Sequence, residues 1–168
     1  MAIAGARVVT ATSRAVVVER LIPGVSAAEA FAAVSDVNRM RDWSPEGRGR
    51  SDATGALRVG DSFVGTNRRG RRRWSTACTV SVVAPPGEFA FDVAWAGLPV
   101  ARWAYAFEDV EGGVQVTETW TDDRSGPKGM VVKLAGLLAS GVWDRSAHNA
   151  ESMKATLDRL AAALTAGS

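Results

Sequence analysis

Glu118 stands in a run where Val114, Val116, Glu118 and Trp120 alternate with Gln115, Thr117, Thr119 and Thr121. Successive strand side chains point to opposite faces, so one face carries a single carboxylate among apolar neighbours. If that face lines a cavity, desolvation raises the carboxyl pKa and makes it a usable general acid or base. The alternative is a structural carboxylate near the strand's end, paired with an arginine or a backbone donor. Asn67 is in phase with Phe63 and Gly65, which turns its amide inward if their face is buried. There it can hydrogen-bond a substrate carbonyl or stabilise an enolate as a neutral donor. Its other reading is a tie for the adjacent turn, a place that Asn favours.

Other residues invite chemistry and argue against it. His148, the only histidine, falls about 160° from Ala150 on a helical wheel, nearly opposite the apolar stripe. No cluster of His, Cys or carboxylates has ligand spacing, so no metal is expected, and no other cofactor. Arg68, Arg69, Arg71, Arg72 and Arg73 surround Gly70 and read as the solvated tip of a hairpin. Nucleic-acid binding is not expected, because the run lacks a recognition helix and the rest of the chain balances its charge. Docking of an acidic carrier domain is a third reading of the same tip.

Aromatic side chains supply the apolar surface for a guest. Six of the twelve aromatic residues are Trp, spread from Trp43 to Trp143, so several elements each contribute a flat apolar surface with one N–H donor. Many of these must be core. The wall of a binding cavity is assigned to Trp74, Trp95, Trp103 and Trp120 from the sheet and Trp143 from the last helix, with Phe63, Phe91 and Tyr105 beside them.

The elements that would hold these groups follow from periodicity. Val142 to Leu164 places Trp143, Ser146, Ala147, Ala150, Met153, Leu157, Leu160, Ala161 and Leu164 on one stripe, an amphipathic helix of about six turns. Arg14 to Ile22 reads as a strand ending at Pro23-Gly24. Ser26 and Glu29 form a capping box for a helix over Ala27 to about Ser35, and Val37 to Trp43 makes a second short helix before Pro45. From Gly60 onward the period is two, with strands near Phe63–Arg68, Arg72–Val83, Glu88–Trp95, Arg102–Glu108 and Val114–Thr121, joined by Gly- and Pro-containing turns. Short connections make neighbours antiparallel. Gly126-Pro127 opens an apolar helical segment to Leu138, too short and interrupted to span a membrane. It is expected to pack over one end of the sheet, with a mobile lid, a dimer contact or a membrane contact as alternatives, and Ser140-Gly141 as its break.

Composition sets the outer bounds. At 168 residues, 46% hydrophobic and 23% charged, with a formal net charge of +2, the chain is expected to form one domain over residues 14–165 behind a flexible N-terminus of residues 1–13. The lone Cys78 fits a reducing compartment and excludes a cysteine-rich metal site. Residues 1–13 hold too few consecutive apolar positions for a secretion signal, so a cytoplasmic location is expected.

The order of elements, with Asp36-Val37-Asn38, Trp43-Ser44-Pro45-Glu46, Phe63 to Gly70, Trp74, Val116 to Trp120, and Arg145, His148-Asn149, Met153, Thr156-Leu157 and Leu160, resembles the START-related, polyketide cyclase and lipid-transport superfamily (SRPBCC). The resemblance spans almost the whole chain. It implies an α+β helix-grip fold: a curved antiparallel sheet wrapped around a long C-terminal helix, with two short helices after the first strand. The fold implies a pocket and leaves its chemistry open. The leading expectation is binding of a hydrophobic or aromatic small molecule, lipid- or polyketide-like, between sheet and helix. The alternative is a polyketide aromatase/cyclase or dehydratase in which Glu118 moves protons and Asn67 holds a carbonyl oxygen. Among partners, a homodimer and an acidic carrier protein stay open.

Overall fold

The computed structural model describes residues 5–142 and 144–166. An eight-stranded, wholly antiparallel sheet runs β1 (Arg7–Ala11), β2 (Ala15–Pro23), β8 (Gly113–Asp122), β7 (Leu98–Val110), β6 (Glu88–Trp95), β5 (Arg72–Ala84), β4 (Ser62–Arg69) and β3 (Gly47–Arg50) in spatial order. Helices α1 (Ala27–Ser35) and α2 (Met40–Trp43) follow β2, with a 3₁₀ turn at Val37–Arg39 between them; α3 (Gly126–Ser140) and α4 (Arg145–Thr165) end the chain. Sheet and helices form the two layers of a helix-grip α+β domain.

The local signals act as their chemistry dictates. The Ser26 side chain accepts the Glu29 N–H while the Glu29 carboxylate accepts the Ser26 N–H at 2.8 Å. A second carboxylate, Asp109 of β7, accepts the Ala27 N–H at 2.6 Å, so the start of α1 is tied to the sheet that it covers. In α4, Met153, Leu157 and Leu160 are wholly buried, each worth about 1.5–3 kcal/mol of apolar transfer.

Four features depart from the sequence reading. Where a flexible N-terminus was expected to residue 13, Arg7–Ala11 forms strand β1 on the edge beside β2. The Ala6 N–H donates to Asp158 of α4, which also pairs with Arg20, and these contacts hold the edge down. Strand β3 has the sequence Gly-Arg-Gly-Arg and no apolar alternation to reveal it. Gly49 explains its placement: a Cβ there would lie 2.4 Å from the Val37 carbonyl oxygen, so only glycine lets this strand pass under the 3₁₀ turn. The pairing of β5 with β6 shifts register between Val80 and Val82, so that Val83, not Val82, packs on the core. The buried stripe of α4 is rotated toward Asn149 and Thr156, and Ala147, expected inside, is exposed.

The arginine tip also differs from the solvated reading. Arg69 donates to the Ser140 carbonyl at 3.1 Å and Arg72 to the Leu138 carbonyl at 2.6 Å. Both are last-turn carbonyls of α3, which have no partner within the helix. Helix α3 packs on β5 and β7, with Gly129 and Val132 buried, while Met130 and Leu138 are 72% and 71% exposed.

Candidate functional site

Glu118 lies mid-strand in β8, in register with Tyr105 on β7 and Val18 on β2. It is 1% exposed, and the Tyr105 hydroxyl donates to its Oε1 at 2.8 Å. Burial raises its pKa to about 8, against the opposing pull of the Tyr105 hydrogen bond. Burial, reinforced by the charge that Glu118 would carry, pushes the Tyr105 phenol well above its usual range. Tyr105 is therefore a permanent donor, and Glu118 is mostly protonated at neutral pH.

The second oxygen, Glu118 Oε2, is buried without a hydrogen-bond partner in the protein, and so is the indole N–H of Trp43. The Trp43 ring stands edge-on to Tyr105, centroids 6.1 Å apart. Glu118, Tyr105 and Trp43 all line one cavity of about 170 Å³ between the sheet and α4. The sheet contributes Phe63, Gly65 and Asn67 from β4, Trp74, Thr76 and Cys78 from β5, Phe91 and Val93 from β6, Trp103 from β7 and Trp120 from β8. Gly65 matters to this wall: a Cβ there would come within 2.9 Å of Thr76 Oγ1 and 3.1 Å of Cys78 Sγ. The Cys78 thiol, raised to about 11 by burial, is no nucleophile at neutral pH.

Of the residues assigned to the site, Glu118, Asn67, Phe63, Trp74, Phe91, Trp103, Tyr105 and Trp120 meet at this cavity. The Asn67 amide has no hydrogen-bond partner among the described residues, so the structure does not use it to tie the Gly70 turn. Trp95 is a correction. It is 41% exposed beside the Ala96-Gly97 turn, where both residues have positive φ, and the β6–β7 register slips between Val93 and Ala94. The slip carries the hairpin tip past the cavity wall, whatever the residue's phase. Trp143 lies outside the described residues.

Several lining residues escaped the sequence reading. Arg145, Asn149, Ser152 and Thr156 of α4 all face the cavity. Their spacing of four, three and four is a polar stripe beside the apolar one, and that periodicity was available in the sequence. Trp43, Glu46, Arg48 and Arg124 also line the space but carry no comparable local pattern. Arg124 grips Asp122 with two parallel bonds, Nε to Oδ1 at 2.8 Å and Nη2 to Oδ2 at 2.9 Å. Burial pushes the Asp122 carboxyl up, and the hydrogen bonds and charge of Arg124 outweigh it to hold the pKa below the usual value. The His148 side chain is only 21% exposed, its Nε2 2.9 Å from Glu46 Oε1, and joins α4 to the segment before β3.

The sequence model of the family described as polyketide cyclase / dehydrase and lipid transport matches residues 13–165. No curated protein matches the chain. Among solved structures, a Rhodobacter sphaeroides protein is similar at 12% identity and TM-score 0.64, over 96% of this chain and 99% of that one. Protein Ms6760 of Mycobacterium smegmatis is similar at 16% identity and TM-score 0.63, over 96% and 100%. DynU16, from the dynemicin biosynthetic locus, is similar at 17% identity and TM-score 0.56, over 92% of this chain and 48% of that one. These structural likenesses, at such low identity, show the shared fold alone. Among the described residues, no helix is long and apolar enough to cross a membrane.

Proposed function

The chain belongs to the polyketide cyclase / dehydrase and lipid transport family, and from that premise we propose that it binds a small hydrophobic or aromatic molecule between the sheet and α4. The observation that carries this reading is the pair of buried, unpartnered polar atoms, Glu118 Oε2 and Trp43 Nε1, in a cavity that also presents Phe63, Trp74, Phe91, Trp103 and Trp120. A buried polar group without a partner costs about 1–3 kcal/mol, and a guest bearing a hydroxyl or carbonyl would relieve both. The volume of about 170 Å³ suits a small aromatic guest, since an apolar cavity of about 150 Å³ holds benzene. Naphthol should quench tryptophan fluorescence on binding, and Trp103→Ala should weaken the response. Failure of naphthol to bind would remove this reading.

A second reading, acid–base catalysis of ring closure or water loss, draws support from the pKa of Glu118, about 8. A group that titrates near neutrality can both give and take a proton. Asn67, its amide unpartnered at the cavity wall, suits the carbonyl oxygen of such a substrate. Glu118→Gln separates the two readings. A carrier keeps its affinity for naphthol or gains some, whereas an enzyme binds substrate and loses about 10²-fold or more in turnover.

A further inference from the structure

The charges at the cavity wall do not balance. Asp122 is taken up by the fork of Arg124, and Glu46 Oε1 lies 2.9 Å from His148 Nε2. Arg145, at the first position of α4, has no carboxylate within 4.0 Å among the described residues. Only one of its five N–H groups has a protein acceptor there, through Nη2 to Ser140 Oγ at 2.9 Å. A second guanidinium lies close by: a Cβ added at Gly136 would be 3.7 Å from Arg145 Nη2 and 3.8 Å from Arg124 Nη1. Burial, and then the charge of Arg124, hold the Arg145 pKa below the ordinary guanidinium value against the opposing pull of Glu46. Glu118 does not supply it, being mostly neutral below about pH 8. Both arginines line the cavity, and both also line a groove on its far side, against Lys133 and Leu137 of α3.

We propose that Arg145, seconded by Arg124, is a carboxylate-recognition subsite, and that the guest is an aromatic or compact hydrophobic acid. Its carboxylate meets the free edge of the Arg145 guanidinium, and its ring lies among the tryptophans. A polar substituent at the far end reaches Glu118 Oε2 and Trp43 Nε1. Arginine suits the role because its planar fork presents paired donors to a carboxylate.

The proposal rests on the cavity being a ligand site, and a matched pair of compounds separates the two claims. Naphthoate and its neutral amide, naphthamide, differ at one group and share their shape. The wild-type protein should bind naphthoate about 10-fold or more tightly than naphthamide, the lower end expected for a hydrogen-bonded charge. Arg145→Gln should abolish that preference by weakening naphthoate more than naphthamide, while Arg145→Lys should keep part of it. Equal binding of the two compounds to the wild type, or an undiminished preference in Arg145→Gln, overturns the subsite and leaves the cavity reading standing. Binding of neither compound overturns both. The wild-type comparison decides the matter even if the variants fold poorly.

Discussion

The buried trio of Glu118, Tyr105 and Trp43 is where sequence pattern becomes chemistry. Alternation in β8 was enough to bring Glu118 inside, because its neighbours Val114, Val116 and Trp120 define the buried face. Its partner was not legible, since Tyr105 meets Glu118 only through the pairing of β7 with β8. The arrangement has a thermodynamic signature. The folded protein holds the Glu118 proton up to about pH 8, whereas an ordinary carboxyl releases it near 4.5. Between those values the folded state binds more protons than the unfolded state, so stability is complete below the lower pKa and falls as pH rises through the higher one. The slope is at most about 1.4 kcal/mol per pH unit for one proton. Urea melts of the wild type and Glu118→Gln should diverge with pH, the wild type losing ground between about pH 5 and pH 8. Parallel profiles would show that Glu118 is not held protonated.

At the scale of elements, legibility followed the strength of the local signal. The capping box at Ser26 and Glu29 and the two-residue alternation of β4 to β8 gave those elements away, because local hydrogen bonding and face polarity determine them. Strand β3 was hidden because a Gly-Arg repeat has no preferred face, and its position depends on the close approach of Gly49 to Val37. The arginine tip was misread for a related reason: five like charges around one glycine suggest solvent, yet Arg69 and Arg72 find carbonyls on α3, distant in sequence. These two arginines should therefore matter more than their neighbours. Replacing Arg69 and Arg72 by serine should cost about 1 kcal/mol and speed amide exchange in the last turn of α3. Replacing Arg71 and Arg73 should change stability by less than about 0.5 kcal/mol. Equal effects of the two pairs would mean that the carbonyl contacts contribute nothing.

Across the whole molecule, the cavity exists because a curved eight-stranded sheet is closed by a helix with two faces. The apolar stripe of α4, Ala150 to Ala161, seals the core, and the polar stripe of Arg145, Asn149, Ser152 and Thr156 borders the cavity. The fold was legible except for its two edge strands, β1 and β3, since element order and periodicity determine the rest. The site was legible in its sheet-borne half, from Phe63 to Trp120. Its other half, Trp43, Arg124 and Arg145, comes from three segments whose local sequences serve helix ends and a strand terminus, and only the tertiary arrangement brings them to one cavity. A crystal structure with naphthol bound tests the central claim most directly. The account predicts the ring packed against Trp103 and Trp120, with its hydroxyl within hydrogen-bonding distance of Glu118 Oε2 or Trp43 Nε1. Naphthol found instead on the exposed face of α3, against Met130 and Leu138, with the cavity closed by its own side chains, would contradict it.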